Sequence, residues 1–166
     1  MTGPFHLRAA AAADRDAIWR ALEPTIRAGD TYALDASLSR EDALAYWYAP
    51  GHEVVVAEHR PSGEVAGTYF LCANHSGGGA HVANCGYVTA PAWRGRGVAG
   101  AMCADSLDRA RARGFLAMQF NFVVSTNTAA VRAWQRAGFD IVGRLPDAFR
   151  HPALGLVDAL VMYRKL

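Results

Sequence analysis

The spacing of apolar residues along the chain predicts seven strands and four helices. Short apolar or alternating runs bounded by turn residues predict strands, whereas apolar residues three and four positions apart predict helices. The predicted strands cover residues 5–8, 53–59, 64–74, 81–89, 117–125, 141–144 and 156–163. The predicted helices cover residues 14–27, with Asp14 as cap, 98–113 and 128–137, and a short helix begins at the capping-box pattern of residues 39–42.

The order of these elements predicts a single domain of the α/β or α+β class that spans residues 1–166. A strand, a helix and a second strand follow one another between residues 84 and 125, which indicates a central βαβ unit. A chain of 166 residues is long enough to bury a hydrophobic core. Every connection between the predicted elements is short, and no repeat or linker divides them.

A basic, glycine-rich turn joins the first strand of that unit to its helix, with the sequence Ala90-Pro91-Ala92-Trp93-Arg94-Gly95-Arg96-Gly97-Val98-Ala99-Gly100. The first N–H groups of a helix lack partners within the helix, and the helix dipole favours an anion beside them. Gly95 and Gly97 have no Cβ atom, so phosphate oxygens can approach the backbone closely. Arg94 and Arg96 add donors for charge-assisted hydrogen bonds. The turn therefore predicts a phosphate-binding site.

Two other phosphate-binding loops fit this turn poorly. Residues 95–100 match the pattern G-x-G-x-x-G of dinucleotide-binding domains, but that pattern needs an acidic residue about twenty positions later. The corresponding stretch, residues 118–122, contains no carboxylate. A P-loop would need Gly-Lys-Ser or Gly-Lys-Thr after the glycines, and neither is present. A nucleotide-dependent oxidoreductase is therefore a weak alternative.

Two motifs, in the right order, resemble those of the Gcn5-related N-acetyltransferases. Arg94-x-x-Gly97-x-Ala99 is similar to the pyrophosphate motif of this family, Gln/Arg-x-x-Gly-x-Gly/Ala. The strand end at residues 88–91 resembles the end of the family's fourth strand, and the stretch from Asn127 to Phe139 resembles its Asn-x-x-Ala…Gly-Phe helix. The resemblance extends over about a third of the chain, from Tyr87 to Phe139.

The resemblance implies a mixed, mostly antiparallel sheet with flanking helices, in which two central parallel strands splay apart. Acetyl-CoA, as the co-substrate, would wedge between those strands. The contacts with acetyl-CoA are assigned by the resemblance to Val88, Thr89, Ala90, Arg94, Gly95, Arg96, Gly97, Val98, Ala99, Gly100, Asn127 and Trp134. No metal is expected, because His81 and Cys85 are four residues apart on a strand, about 13 Å, which is too far for one ion.

The implied chemistry is direct attack of an amine on the acetyl group in a ternary complex. The resemblance assigns the oxyanion to the backbone N–H at or near Val88. Many members use a tyrosine in the helix after the asparagine as a general acid, but Trp134 occupies that position here, and indole cannot deliver a proton. Tyr163 and Tyr87 are the candidate replacements. The thiol, with a pKa of about 8.5, can also leave as thiolate without an acid.

The general base is left open, because no carboxylate lies on the two central strands. The candidates in the sequence are Glu53, Glu58, His75, His81 and His151. Histidine suits the task through its pKa near neutrality, although each of these histidines can equally be a solvated loop residue. Water that relays the proton to the solvent is the common alternative in this family.

Asn84 and Asn121 are the expected substrate-binding residues, because each places an amide in an otherwise apolar strand. A buried amide without partners costs about 1–3 kcal/mol, so each needs a partner in the protein or the substrate. The aromatic residues that could line the acceptor pocket, or belong to the core, are Trp19, Tyr32, Trp47, Tyr48 and Phe149. Residues 149–152 are expected in the last long loop, where basic groups could hold a carboxylate. Residues 119–124 and 157–160 resemble a subgroup that includes acetyltransferases of proline-analogue amino acids.

Composition narrows the partners and the location of the expected enzyme. A net charge of +2 gives no broad basic surface for nucleic acid. No apolar run approaches the roughly twenty residues that span a bilayer, no signal-peptide pattern is evident, and three cysteines give no disulfide framework. We expect a cytoplasmic enzyme that acts on a small amine or amino acid and that could form a homodimer, as members of this family often do. The alternatives are a catalytically silent acyl-CoA-binding or sensing module and a protein or peptide N-acetyltransferase.

Overall fold

Seven strands and four α-helices make up the computed structural model, which describes residues 3–166. The strands are β1 (Phe5–Ala9), β2 (Glu53–His59), β3 (Val65–Ala73), β4 (Val82–Thr89), β5 (Ala117–Val124), β6 (Asp140–His151) and β7 (Gly155–Lys165). The helices are α1 (Arg15–Ala28), α2 (Arg40–Trp47), α3 (Val98–Ala112) and α4 (Thr128–Arg136). Across residues 3–166, no helix has both the length and the apolar composition needed to cross a membrane.

The strands form one sheet in the order β1-β2-β3-β4-β5-β7-β6. All neighbouring strands are antiparallel except β4 and β5, which run parallel. This pair is joined only at Val82↔Ala117 and Ala83↔Met118, and beyond these residues the two strands separate. The predicted fold class, a mixed and mostly antiparallel sheet with a splayed parallel pair and flanking helices, is therefore confirmed.

Helices cover both faces of the sheet, and each face has its own core. Tyr69, Leu71 and Phe120 are buried in the core that includes α3 and α4. Val56 and Phe70 are buried in the core that includes α1 and α2. Neighbouring residues of one strand, such as Tyr69 and Phe70, point to opposite faces. Because both faces are covered, the central strands consist of long apolar runs.

The two helices on the second face begin in different ways. Ser39 caps α2 as predicted, because its side chain accepts the N–H of Asp42 at 3.0 Å. Asp14 was expected to cap the first helix, but its carboxylate instead accepts two bonds from Arg8, at 2.7 and 3.0 Å, and one from the N–H of Ala11, at 2.7 Å. The Arg8 guanidinium lowers the pKa of Asp14. Asp14 therefore ties the start of α1 to β1.

The C-terminal hairpin differs most from the prediction. β6 covers Asp140–His151 instead of residues 141–144, and it pairs with β7 as far as His151↔Gly155. Arg150 and His151 are therefore strand residues and do not belong to a last long loop. Nine of the twelve residues of β6 are exposed, so no alternation of apolar and polar positions could indicate its full length.

Candidate active site

A cleft of about 1390 Å³ opens where β4 and β5 separate. Its walls come from both strands, from α3 and α4, and from residues 24–34, at the end of α1 and just after it. Twelve of the site residues assigned from the sequence line this cleft: Asn84, Val88, Thr89, Arg94, Gly95, Gly97, Val98, Ala99, Gly100, Asn121, Asn127 and Trp134. Three assigned residues do not: Ala90, Arg96 and Tyr163.

The turn between β4 and α3 presents backbone N–H groups to one end of the cleft. Gly95 and Gly97 have φ angles of +74° and +83°, which L side chains rarely adopt. Gly97 is the N-cap of α3, and neither a side-chain cap nor an acidic residue occupies the first turn of that helix as described. The N–H groups from Val98 to Gly100 are therefore available to an anion.

The two arginines of this turn have different surroundings. Arg94 lines the cleft. The Arg96 guanidinium lies 5.2 Å from the centroid of the Trp93 ring and outside the cleft lining, so a cation–π contact holds it away from the predicted ligand position. Ala90 is also outside the lining, because its N–H continues the ladder to the carbonyl of Ala66 at 2.9 Å.

The ladder between β3 and β4 determines which backbone groups of β4 face the cleft. The hydrogen bond from Ala90 to Ala66 shows that these two residues form a hydrogen-bonded pair. Such pairs alternate along antiparallel strands with pairs that exchange no hydrogen bond. Two residues back, Val88 lies opposite Thr68, so both of its backbone groups are directed at β3.

This alternation corrects the assignment of the oxyanion donor. The N–H of Val88 points away from the cleft, because Thr68 is its partner in the ladder. The backbone groups of Tyr87 and Thr89 point to the other side, where β5 has already diverged, and both residues line the cleft. The sequence assigned the donor at or near Val88, and the ladder leaves the N–H groups of Tyr87 and Thr89 free instead of that of Val88. This alternation depends on the pairing partner and cannot be seen in one strand alone.

Asn127 and Trp134 bring α4 to the cleft. The side chain of Asn127 accepts the N–H of Ala130 at 3.3 Å and so caps α4. Trp134 is buried, and its ring centroid lies 4.8 Å from that of Tyr87 and 5.2 Å from that of Phe120. An aromatic wall therefore occupies the position where the family usually has its tyrosine.

The structure does not bring a replacement acid to this position from either predicted tyrosine. The Tyr87 hydroxyl is hydrogen-bonded to Ser106 at 2.7 Å, and burial raises the pKa of Tyr87 well above its usual value. Tyr163 lies on β7 opposite Gln119, so it shares the face of Gln119 and not that of Phe120. Since Tyr163 is also outside the cleft lining, its assignment as the acid has no support in the geometry.

The candidate bases are held elsewhere. Glu53 and Glu58 accept hydrogen bonds from arginines at 2.7–3.0 Å, and neither lines the cleft. The histidines considered as bases are also outside its lining, namely His75, His81 and His151. Within residues 3–166, Asp30 is the one carboxylate among the cleft-lining side chains.

Both predicted substrate-binding amides line the cleft, in different surroundings. Asn84 is half-buried on β4. Asn121 is exposed, whereas a buried amide was expected: its Nδ2 donates to Asn74 at 2.6 Å, and its Oδ1 accepts from Gln119 at 2.8 Å. The reason is that β5 has left β4, and its pairing with β7 is irregular after Phe120.

The aromatic lining comes from distant parts of the chain. Of the five aromatic residues considered for the acceptor pocket, Tyr32 lines the cleft, and its hydroxyl donates to the carbonyl of Tyr87 at 2.9 Å. Trp47 is buried in the core, and it lies outside the cleft lining, as do Trp19, Tyr48 and Phe149. Phe70 and Tyr46 also line the cleft and were missed, because β3 and α2 carry no local signal that associates them with the site.

Comparisons with known proteins agree with this geometry. The Acetyltransferase (GNAT) family matches residues 17–139. A GCN5-related N-acetyltransferase from Kribbella flavida is 42% identical, with a TM-score of 0.93 over 98% of each chain. N-acetyltransferase aca1 from Schizosaccharomyces pombe is 26% identical over an alignment of 151 residues, and this alignment covers 82% of this chain and 72% of aca1. A phosphinothricin acetyltransferase from Sinorhizobium meliloti, in complex with acetyl-CoA, is 21% identical with a TM-score of 0.85, over 99% of this chain and 89% of its own.

The fold, the splayed cleft and the family match define an acyltransferase that uses acetyl-CoA. The chain belongs to the GNAT family, and it is an N-acetyltransferase of the GNAT type. The residues present fit acetyl-CoA, since the glycine turn and α3 offer N–H groups to a pyrophosphate and β4 offers a free backbone edge to the pantetheine arm. No group of three or more metal-ligating side chains is found in residues 3–166.

Proposed function

We propose that this enzyme transfers the acetyl group of acetyl-CoA to the amine of a small molecule, and that the acceptor is an amino acid or an amino-acid analogue. The amine attacks directly while both substrates are bound. The observation that carries this proposal is the composition of the cleft wall opposite α3 and α4. Aromatic rings and amide side chains from five separate chain segments converge there: Tyr32, Tyr46, Phe70, Asn84 and Asn121.

The rings and the amides suit different parts of a small acceptor. The Tyr46 and Phe70 rings contact edge to face with centroids 6.1 Å apart, so they offer an apolar surface to the carbon skeleton. Asn84 and Asn121 each carry donors and an acceptor, so they can bind both the amino and the carboxyl group of an amino acid. A pocket of this kind supports a small acceptor over a protein or peptide.

The charge of the cleft supports the same class of acceptor. Asp30 is the one carboxylate among its lining residues in the described chain, which favours an acceptor with at most one further positive charge. A polycationic acceptor such as an aminoglycoside would need several carboxylates. The phosphinothricin acetyltransferase with the same fold is named for a small-molecule acceptor, which agrees with this proposal.

The chemistry needs little from titratable side chains. The ammonium form of the acceptor loses a proton to water, the nitrogen of the resulting neutral amine bonds to the acetyl carbon, the C–S bond breaks, and the surplus proton on the nitrogen passes to water. The developing oxyanion receives a hydrogen bond from a free N–H of β4, at Tyr87 or Thr89. The thiol leaves as thiolate, because a thiol pKa of about 8.5 makes it a tolerable leaving group.

A silent acyl-CoA-binding module is the second candidate, and Trp134 in place of the usual tyrosine is the observation that favours it. Release of free thiol in the presence of an amine separates the two functions. The cytoplasmic location and the homodimer stay predictions from the sequence.

The first experiment is a calorimetric titration with acetyl-CoA, with NAD in a parallel cell. We expect micromolar binding of acetyl-CoA and no heat with NAD. A thiol-release screen over small amines and amino acids then identifies the acceptor class. Absence of acetyl-CoA binding would contradict the proposed function, and binding without turnover of any amine would favour the silent module.

A further inference from the structure

Tyr32 links the segment after α1 to the splayed edge of β4. Gly29, with a φ of +63°, ends α1 and redirects the chain toward the cleft. The Tyr32 ring then packs against Trp47 with centroids 6.3 Å apart, and its hydroxyl donates to the carbonyl of Tyr87 at 2.9 Å. The two hydrogen-bonded residues are 55 positions apart in sequence, so no local motif could indicate this contact.

A glycine on β4 makes room for this arrangement. A Cβ atom at Gly86 would lie 2.5 Å from the Phe70 ring and 3.1 Å from the Tyr32 hydroxyl oxygen. Any larger residue at this position would therefore push both aromatic side chains out of place. Tyr32 and Phe70 therefore contact β4 at Gly86, which has no side chain. Gly86 is next to Tyr87, whose N–H group faces the cleft.

The hydrogen bond to Tyr87 determines what the Tyr32 oxygen can do. A tyrosine hydroxyl has one proton to donate and lone pairs to accept with. The proton of Tyr32 is directed at a carbonyl that the ladder with β3 leaves free, so the oxygen has only lone pairs left for a further partner, and Tyr32 is among the residues that line the cleft. Burial raises the pKa of Tyr32, which keeps the hydroxyl neutral at neutral pH. Tyr32 is therefore unsuited to act as a phenolate base or to protonate the thiolate.

Resting on the proposed function, we propose that Tyr32 positions the acceptor: its oxygen accepts a hydrogen bond from one N–H of the neutral amine and so directs the nitrogen lone pair at the acetyl carbon. The N–C bond forms and the C–S bond breaks, the thiol leaves as thiolate, and the surplus proton of the amine passes to water. Tyr32 keeps its own proton throughout. The acceptor must accordingly be a primary or secondary amine, since a tertiary amine has no N–H to donate.

Tyr32→Phe tests this role, because it removes the oxygen and keeps the ring. We expect the KM of the amine to rise about five- to tenfold, which is the effect of losing one hydrogen bond. The Kd of the same amine for the enzyme loaded with CoA, a complex that cannot turn over, should rise by the same factor. The Kd of acetyl-CoA should stay within twofold, and the melting temperature should fall by about 2–4 °C, because the variant also removes the Tyr32–Tyr87 hydrogen bond.

Tyr48→Phe is the matched control. The Tyr48 hydroxyl is buried, has no hydrogen-bond partner within residues 3–166, and lies outside the cleft lining. Its removal should leave the amine KM, the amine Kd and the acetyl-CoA Kd at their wild-type values. A fixed panel of n-butylamine, benzylamine, L-alanine and L-proline serves both variants and the wild type.

The same variants give a result even if no amine in the panel is turned over. Water would then take the place of the amine at the Tyr32 oxygen, and the slow hydrolysis of acetyl-CoA should fall several-fold in Tyr32→Phe. Unchanged amine affinity and unchanged hydrolysis would overturn the proposal. So would a loss of acetyl-CoA affinity or of thermal stability that accounts for the whole effect, because Tyr32 would then be structural. Failure of the wild-type protein to bind acetyl-CoA would contradict the proposed function itself.

Discussion

The two ends of the cleft differ in the groups that line them, which are backbone N–H groups at one end and side chains at the other. At the end formed by the turn between β4 and α3, consecutive residues from Arg94 to Gly100 offer mainly backbone N–H groups and one arginine. The other end is the proposed acceptor end, where single side chains come from five separate chain segments: Tyr32, Tyr46, Phe70, Asn84 and Asn121. Contacts there, such as that of Tyr32 with Tyr87, join residues far apart in sequence.

This difference determines which substitutions each end of the cleft tolerates. A site made of backbone groups depends on the path of the chain, so it tolerates many side chains but not the loss of a glycine with positive φ. A site made of single side chains keeps its shape on the scaffold when one of them changes. Substitutions at the first end should therefore abolish binding of acetyl-CoA, whereas those at the second should alter the acceptor.

Gly97→Glu should have the largest effect. Its φ of +83° strains any L side chain, and the added carboxylate would enter the open space at the start of α3 that a pyrophosphate needs. We expect the affinity for acetyl-CoA to fall by about a hundredfold or more, measured by calorimetry.

Gly51→Glu is the control that distinguishes the effect of backbone strain from the effect of a carboxylate at the binding site. Gly51 has a φ of +86°, close to that of Gly97, and a Cβ atom there would also meet open space, but it lies in the turn before β2 and outside the cleft lining. This variant should bind acetyl-CoA like the wild type. If both variants lose affinity equally, backbone strain is the cause and the turn is not the binding site.

The cofactor end was predictable from sequence because its residues are consecutive. The turn from Arg94 to Gly100, its strand and its helix together cover thirty-one consecutive positions, Val82 to Ala112, and the structure has this turn between β4 and α3 as the motif implied, with Arg96 stacked on Trp93. The alternation of β4 was not predictable, since the direction of the Val88 N–H depends on pairing with Thr68 of another strand.

The acceptor end was predictable only in part. Asn84 and Asn121 could be predicted as candidates because they are amides in apolar strands, and both line the cleft. The roles of Tyr46 and Phe70 depend on how α2 and β3 pack beside β4, which no local pattern reveals. The length of β6 also escaped prediction, because a strand exposed at nine of its twelve positions has no hydrophobic period.

Asn84→Ala and Asn121→Ala should have effects of intermediate size, and these effects should appear in the KM of the acceptor amine. Each removes an amide from the acceptor end and leaves the turn at residues 94–100 untouched. We expect the KM of the amine to rise about five- to tenfold and that of acetyl-CoA to stay within twofold, measured by steady-state thiol release.

Asn127→Ala gives the opposite pattern and serves as the matched comparison. Asn127 caps α4 on the other wall of the cleft, so its loss should raise the KM of acetyl-CoA more than that of the amine. Equal changes in both constants for Asn84→Ala or Asn121→Ala would show that the amide in question supports the structure instead of binding the acceptor.

Trp134→Tyr should have the smallest effect, and it tests whether the acceptor end lacks an acid. The Trp134 ring packs between Tyr87 and Phe120, so a smaller phenol there loses contact area but adds a hydroxyl at the family's usual position. We expect kcat to change by less than about threefold, because a thiol with a pKa of about 8.5 leaves without help near neutral pH.

Trp134→Phe isolates the hydroxyl, since both variants shrink the ring in a similar way. If kcat of Trp134→Tyr exceeds that of Trp134→Phe by about tenfold or more, protonation of the leaving thiolate limits the wild-type enzyme, and the acid is missing from this cleft. Equal rates for the two variants would mean that departure of the thiol is not limiting. In that case kcat depends on how the enzyme positions the amine, and therefore on the side chains of the acceptor end.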